Sequence, residues 1–237
     1  MSRPPAGWVR RLATDSPGTS HEAVRDQLRA AILQGAAPPG AAIVVEDVAD
    51  RFSVSRIPVR EALKTLVGEG LVSHAPRAGY FVAQLTRVEL LELYVVREAL
   101  ESAAQAAAVP RADAACDAEA RSAHAALSWA IADGDVRAHH RESRRFHLAL
   151  AAPCGMRRLL HMYAAAWDLT EPFQPMSHVD RPQTQVLHEE HGAMLRAFLD
   201  RDADALVAVS RAHSGHMRDV LASLPEETGL FAPETRS

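Results

Sequence analysis

The sequence predicts a mainly α-helical chain in two parts: an N-terminal winged helix-turn-helix, three helices plus a β-hairpin wing, followed by an all-α antiparallel helical bundle. Three observations carry this prediction. Apolar residues recur at helical spacing along most of the chain, two short apolar runs flank the glycine-bearing turn "RAG" at 77–79, and after Arg87 no strand candidate remains.

Residues 1–19 contain several prolines and glycines and no sustained apolar period, so they read as a flexible arm. From His21 to Leu33 the apolar positions Val24, Leu28, Ile32 and Leu33 mark a first helix, which Gly35 and "APPG" stop. "AAIVV" is a short apolar segment, and Glu46 to Phe52 a short helix with Val48 and Ala49 inward. "SVS" breaks it. Ser55 then serves as the expected N-cap of a third helix, Arg56 to about Glu69, with Pro58 in its first turn, where a missing N–H costs little. "LVSHAP" and "YFVAQL" form the hairpin, which closes a winged domain over residues 20–86. The bundle helices are expected at about 87–108, 111–133, 135–152, 155–170, 181–200 and 202–224, separated by Pro110, Gly134, Pro153, Gly155 and the longer loop "TEPFQPMSHVDRP". Residues 87–225 thus make the second domain, and 226–237 a tail.

With 237 residues, 48% of them hydrophobic, the chain can bury real cores without staples. Its two cysteines, Cys116 and Cys154, have no paired spacing, which points away from a disulfide framework or thiolate zinc site and toward a reducing cytoplasm. No stretch approaches the ~20 apolar residues of a membrane span. The net charge of −4 hides an asymmetry: residues 1–86 carry 10 Lys+Arg against 8 Asp+Glu, and the remainder 16 against 22. The net charge argues against a protein that coats nucleic acid, and the asymmetry reads as a small basic module joined to a larger acidic one.

In "SVSRIPVREALKTLVGEGLV", Arg56 and Arg60 lie four residues apart and project from one helix face, while Val59, Leu63 and Leu66 form the other. That division suits a helix lying in the major groove of double-stranded DNA. Arginine there either bonds guanine bidentately or anchors on phosphate, and the spacing leaves both open. Ser55 and Thr65 are candidate hydroxyl contacts and Lys64 a point charge, with Glu61 available to pair with an arginine instead.

Val54, Ser55, Arg56, Pro58, Val59, Arg60, Glu61, Ala62, Leu63, Leu66, Gly70 and Leu71, then Arg77, Gly79 and Val82, form a dense ungapped pattern that resembles the DNA-binding domain of GntR-family transcriptional regulators. The resemblance implies base and phosphate contacts from Arg56 and Arg60 and a wing tip at Arg77 and Gly79 that enters the minor groove. Glu46 stands where many FadR-like relatives carry arginine, so the contact from the second helix departs from theirs. One winged helix makes few contacts, so a homodimer reading a palindromic operator is expected.

Twelve histidines are present, and three occupy suggestive places: His147, His191 and His213, on the third, fifth and sixth predicted bundle helices. Imidazoles from facing helices can meet at one interior point and hold a divalent metal, and they are equally at home on a helix surface. "LLELYVVREALES", with Arg97, Leu100 and Glu101, is similar to the first helix of the FCD effector domain found in FadR-like GntR regulators. That resemblance implies that His147, His191 and His213 hold zinc or nickel, together with an aspartate at the position where this chain has Ser143. Three arrangements are compatible with the serine: a water completes the metal, an extra histidine (His140, His188 or His216) compensates, or the site is metal-free and binds effector directly. Arg97, which also stands at the right distance to pair with Glu101, would add positive charge. The pocket would then favour a small anionic metabolite, a carboxylate or sugar acid, with Arg97, Ser143, His147, His191 and His213 as its contacts.

The competing class is a metal-dependent helical-bundle enzyme with an accessory DNA-binding domain. "HEEH" at 188–191 has its histidines at i and i+3, not the i and i+4 of a zincin motif, and no nucleophile motif or phosphate loop appears. The expectation is therefore a ligand-responsive DNA-binding regulator, a repressor rather than an enzyme, in the cytoplasm.

Overall fold

The computed structural model describes residues 6–13, 21–225 and 231–233. The chain forms two compact units that divide between Thr86 and Arg87, with Glu171–Phe173 and the 231–233 segment grouping with the first.

The first unit contains α1 (His21–Leu33), β1 (Ala42–Ile43), α2 (Val45–Phe52), α3 (Arg56–Gly68), β2 (Val72–Ala75) and β3 (Gly79–Val82). Its core is the set that the periodicity singles out: Val24, Leu28 and Ile32 of α1, Val48 and Ala49 of α2, and Val59, Leu63 and Leu66 of α3, all buried. Leu63 and Leu66 are completely enclosed, so truncating either to alanine would cost about 2–5 kcal/mol. Between α2 and α3 the chain turns through Ser53, in the left-handed region at φ 53°.

Three local expectations are corrected. The wing is a three-stranded antiparallel sheet in the order β1-β3-β2, with Ala42 opposite Phe81 and Ile43 opposite Tyr80. A two-residue strand has no period of its own, and β3 defines it. Ser55 occupies the N-cap position of α3 with extended backbone, but its hydroxyl makes no capping bond. The segment 6–13, read as part of a flexible arm, instead forms a 3-10 turn (Val9–Arg11) whose Trp8, Val9 and Leu12 are buried in the core of this unit. Arg51 ties it down, donating to the Leu12 carbonyl at 3.0 Å. Beyond residue 225 the described part of the expected tail is 231–233, where Ala232 donates to the Leu85 carbonyl at 2.8 Å.

The second unit contains α4 (Arg87–Ala108), α5 (Ala114–Asp133), α6 (Val136–Ala151), α7 (Arg157–Thr170), α8 (Arg181–Leu199) and α9 (Ala203–Ser223). Its helix boundaries have identifiable chemical causes. Asp113, Asp135, Asp180 and Asp202 each accept backbone N–H bonds at the start of α5, α6, α8 and α9. Gly134 ends α5 at φ 68°, a conformation that costs glycine little and lets α6 fold back antiparallel. Phe146 and Leu150 of α6 pack with Met194 and Phe198 of α8, and Ala104 and Ala108 of α4 pack with Tyr163 and Trp167 of α7. The loop "TEPFQPMSHVDRP" is ordered into two 3-10 turns, Glu171–Phe173 and Pro175–His178. Cys116 and Cys154 are free thiols. Among the described residues no helix is long and apolar enough to cross a membrane.

Candidate functional sites: a nucleic-acid face and a histidine-lined cavity

In the first unit, burial of Val59, Leu63 and Leu66 turns the opposite side of α3 to solvent. Arg56 and Arg60 are exposed on that side, as are Ser55, Lys64 and Thr65. Two of these carry prior commitments: Lys64 Nζ lies 2.8 Å from Glu61 Oε1, and the Thr65 hydroxyl donates to the Glu61 carbonyl at 3.2 Å. Glu61 therefore pairs with Lys64 rather than with an arginine, and the neighbouring Glu61 carboxylate raises the Lys64 pKa. Arg56 has a different partner, Glu46 of α2, at 3.2 Å. At the wing tip Arg77 is exposed at φ 69° and Gly79 sits at φ 102°, with no atom within 4 Å of where a Cβ would stand. The surface feature missing from the sequence reading is Ile57, 72% exposed between Arg56 and Pro58, an apolar side chain suited to contact with a thymine methyl. Its position beside the arginines was the available signal.

In the second unit, His147 of α6, His191 of α8 and His213 of α9 are buried, and one ring nitrogen from each lies within 4.8 Å of the others. Carboxylates hold the far side of two of these rings. His147 Nδ1 is 2.6 Å from Glu101 Oε1, and His213 Nδ1 is 2.9 Å from Glu190 Oε2. An acceptor at Nδ1 keeps the proton there and leaves Nε2 as a lone-pair donor. His147 Nε2 lies 3.2 Å from His191 Nε2. That is close to the ~3.3 Å edge of a tetrahedron around zinc with Zn–N bonds of about 2.05 Å. The donor set and its spacing therefore fit a divalent ion.

The electrostatics agree. Burial, reinforced by the neighbouring histidines, pushes the His191 pKa well down, and burial also lowers that of His213 against the pull of Glu190, so these two rings favour the neutral form a metal needs. Burial works to raise the Glu101 pKa, yet His147 and Arg97 outweigh it and keep Glu101 below the usual carboxylate range.

The histidines open onto a cavity of about 50 Å³, lined also by Tyr94, Arg97, His140, Ser143, Trp167 and Met176. Arg97 is not ion-paired with Glu101, the alternative that its spacing left open. Its guanidinium stacks 3.3 Å from the Trp167 ring centre and 4.6 Å from that of Tyr94, and Nη1 donates to Thr170 Oγ1 at 3.0 Å. Of the histidines considered as compensation for Ser143, only His140 lines the cavity. His188 hydrogen-bonds Ser128 at 2.9 Å, and His216 contacts the Glu190 carboxylate. The neighbours of His147 face elsewhere: Arg144 pairs with Asp168 at 2.7 Å and Arg145 with Glu119 at 2.8 Å.

Comparison with known proteins gives both units counterparts. A family model for bacterial regulatory proteins of the gntR family matches residues 20–82, and one for the FCD domain matches residues 92–216. The HTH-type transcriptional regulator BphR of Paraburkholderia xenovorans is 29% identical over 199 residues, covering 81% of each chain. The HTH-type transcriptional repressor GlaR of Escherichia coli is 26% identical over 190 residues, covering 77% of this chain and 86% of GlaR. The solved structure of E. coli McbR/YncC matches with a TM-score of 0.76 at 24% identity, over 85% of this chain and 96% of its own. A transcriptional regulator from Rhodococcus sp. RHA1 matches with a TM-score of 0.77 at 22% identity, over 86% and 99%. The two structural likenesses establish the fold.

Proposed function

The chain belongs to the gntR family of bacterial regulatory proteins and carries an FCD domain; it is a transcriptional regulator and not an enzyme, and on that premise we propose that it represses transcription until a small carboxylate enters the bundle. Two relatives, GlaR and RspR of E. coli, are named repressors, which supports the sign of regulation.

In this reading two copies bind a palindromic operator in the cytoplasm, each laying α3 in the major groove. Arg56 and Arg60 read bases or phosphates, Ser55, Lys64 and Thr65 contact the backbone, and Arg77 and Gly79 form the wing tip. Lys64 and Thr65 must exchange their Glu61 contacts for phosphate to do so. His147, His191 and His213 hold a divalent ion, zinc or nickel, whose chemistry is to offer a positive charge and an exchangeable position to a carboxylate. Three neutral imidazoles leave that charge at its full value. Ser143, a weak ligand beside the carboxylate it replaces, leaves one position to water. Arg97 adds a second fixed positive charge in the same cavity. Release of DNA requires the effector to prefer the dimer geometry that mismatches the half-sites.

The observation that carries this reading is the convergence of three buried histidines from three helices on one cavity that also holds Arg97. The test is a gel-shift titration on promoter DNA with a panel of carboxylates and sugar acids, with and without a chelator. Release of DNA by at least one acid, lost on chelation, is expected; a panel without effect at any metal loading would contradict it.

A further inference from the structure

The cavity that the three histidines open onto is walled by α4, α6, α7, α8 and α9 and by the 3-10 turn Pro175–His178. Among the described residues that line it, only Ser143 and Met176 are not buried. Ser143 lies inside α6, where the backbone hydrogen-bond ladder fixes it, whereas Met176 lies on the turn. A wider cleft, of about 350 Å³, lies against that same turn, between the chain reversal at 130–135 and the start of α8 at Arg181 and Thr184. Asp133, Asp135 and Arg181 of its lining are exposed, so it opens to solvent. Two residues face both spaces, His139 and Met176, and they form the partition between them.

The two halves of the partition differ in freedom. His139 is 7% exposed on α6, and its ring lies nearly parallel to that of His140, 6.0 Å away. It is a fixed post. Met176 is half-buried, and the turn beneath it is pinned: Pro175 is buried, and Ser177 donates to the Gln174 carbonyl from its N–H at 3.0 Å and from its hydroxyl at 2.7 Å. What remains able to move is the Met176 side chain, unbranched and with three rotatable bonds.

We propose that the wider cleft is the entrance to the histidine cavity and that the Met176 side chain is its gate, swinging against the fixed ring of His139. This rests on the reading of His147, His191 and His213 as a metal site and adds the route by which an ion reaches it. A gate touches the path and not the bound ion, so it changes the barriers to entry and exit equally and leaves the affinity where it was.

The test is stopped-flow zinc exchange on the full-length chain, with uptake followed after mixing with zinc and release followed into an excess of fluorescent chelator. Met176→Ala should speed uptake and release by one common factor, about threefold or more, because the side-chain contacts that hold the gate shut are lost. Val179→Trp, at a half-buried position that lines the cleft and not the cavity, should slow both by a common factor. The equilibrium zinc affinity should stay the same in each variant. Rates that neither substitution moves overturn the proposal by placing the entrance elsewhere. A Met176→Ala effect on release alone, with weaker affinity, also overturns it, by making Met176 a support of the loaded site. Failure of the unaltered chain to bind zinc removes the metal reading itself, and so is told apart from failure of the gate. Should a melting scan show that Met176→Ala does not fold, Val179→Trp decides the matter alone.

Discussion

The two units hold their functional side chains in opposite ways. On α3 the arginines stand in water, Arg56 with one exposed carboxylate beside it, while in the bundle His147 and His213 are each buried and backed by a carboxylate of their own. An exposed cation is an adaptable contact whose worth appears only when DNA arrives. A buried imidazole oriented through its far nitrogen is organised before any ligand binds. Substitutions of the exposed side chains of α3 should therefore change DNA affinity with little effect on folding. Those in the bundle should change ligand affinity and stability together.

The largest effect should come from replacing Arg56 and Arg60 together with alanine. Operator affinity should fall by about 30-fold or more, at roughly 1–3 kcal/mol per base-contacting arginine, with the melting temperature unmoved. Fluorescence anisotropy and a melting scan read both, and unchanged binding would detach α3 from DNA recognition. Next comes Glu101→Gln, which removes the carboxylate behind His147 without touching a proposed ligand. Zinc affinity should drop about 10- to 100-fold in a chelator competition. No change would mean that the carboxylate does not orient the ring.

A pH titration sharpens the contrast. Burial depresses the pKa of His139 to about 4 and that of His140 to about 3, below the ordinary 6.5. A depressed pKa contributes stability that is complete above 6.5 and is lost as the pH falls through the folded values, because the unfolded chain takes up protons first. Metal-free protein should thus lose melting temperature progressively from about pH 6.5 towards pH 4. A flat profile would place these rings in water. The smallest effect belongs to Glu46→Gln, which frees Arg56 and removes a negative charge from beside the proposed DNA-contacting arginines. Operator affinity should rise only a few-fold, and only at low salt, because the pair is exposed. A decrease would show that Glu46 orients Arg56 productively.

The helices of the bundle were legible because their ends are written in local chemistry: aspartate caps, Gly134, and prolines that no helix interior accepts. The same holds for the buried stripe Val59, Leu63 and Leu66, which fixes by elimination what α3 turns outward. Features that depend on distant partners were not legible. β1 exists through β3, and Trp8, Val9 and Leu12 carry no period of their own, so only the core they fill reveals them. His140, His188 and His216 were equivalent by spacing. The first lines the cavity, whereas Ser128 and Glu190 engage the others. The roles of Glu101 and Glu190 were hidden for the same reason, since a carboxylate on one helix does not announce a histidine on another.

The central claim is that His147, His191 and His213 form one metal site. Its most direct test is elemental analysis of protein purified without a histidine tag, for the unaltered chain and for His191→Ala. The account predicts about one zinc or nickel ion per protomer in the first and loss of it in the second. Full retention of metal by the His191→Ala variant would contradict it.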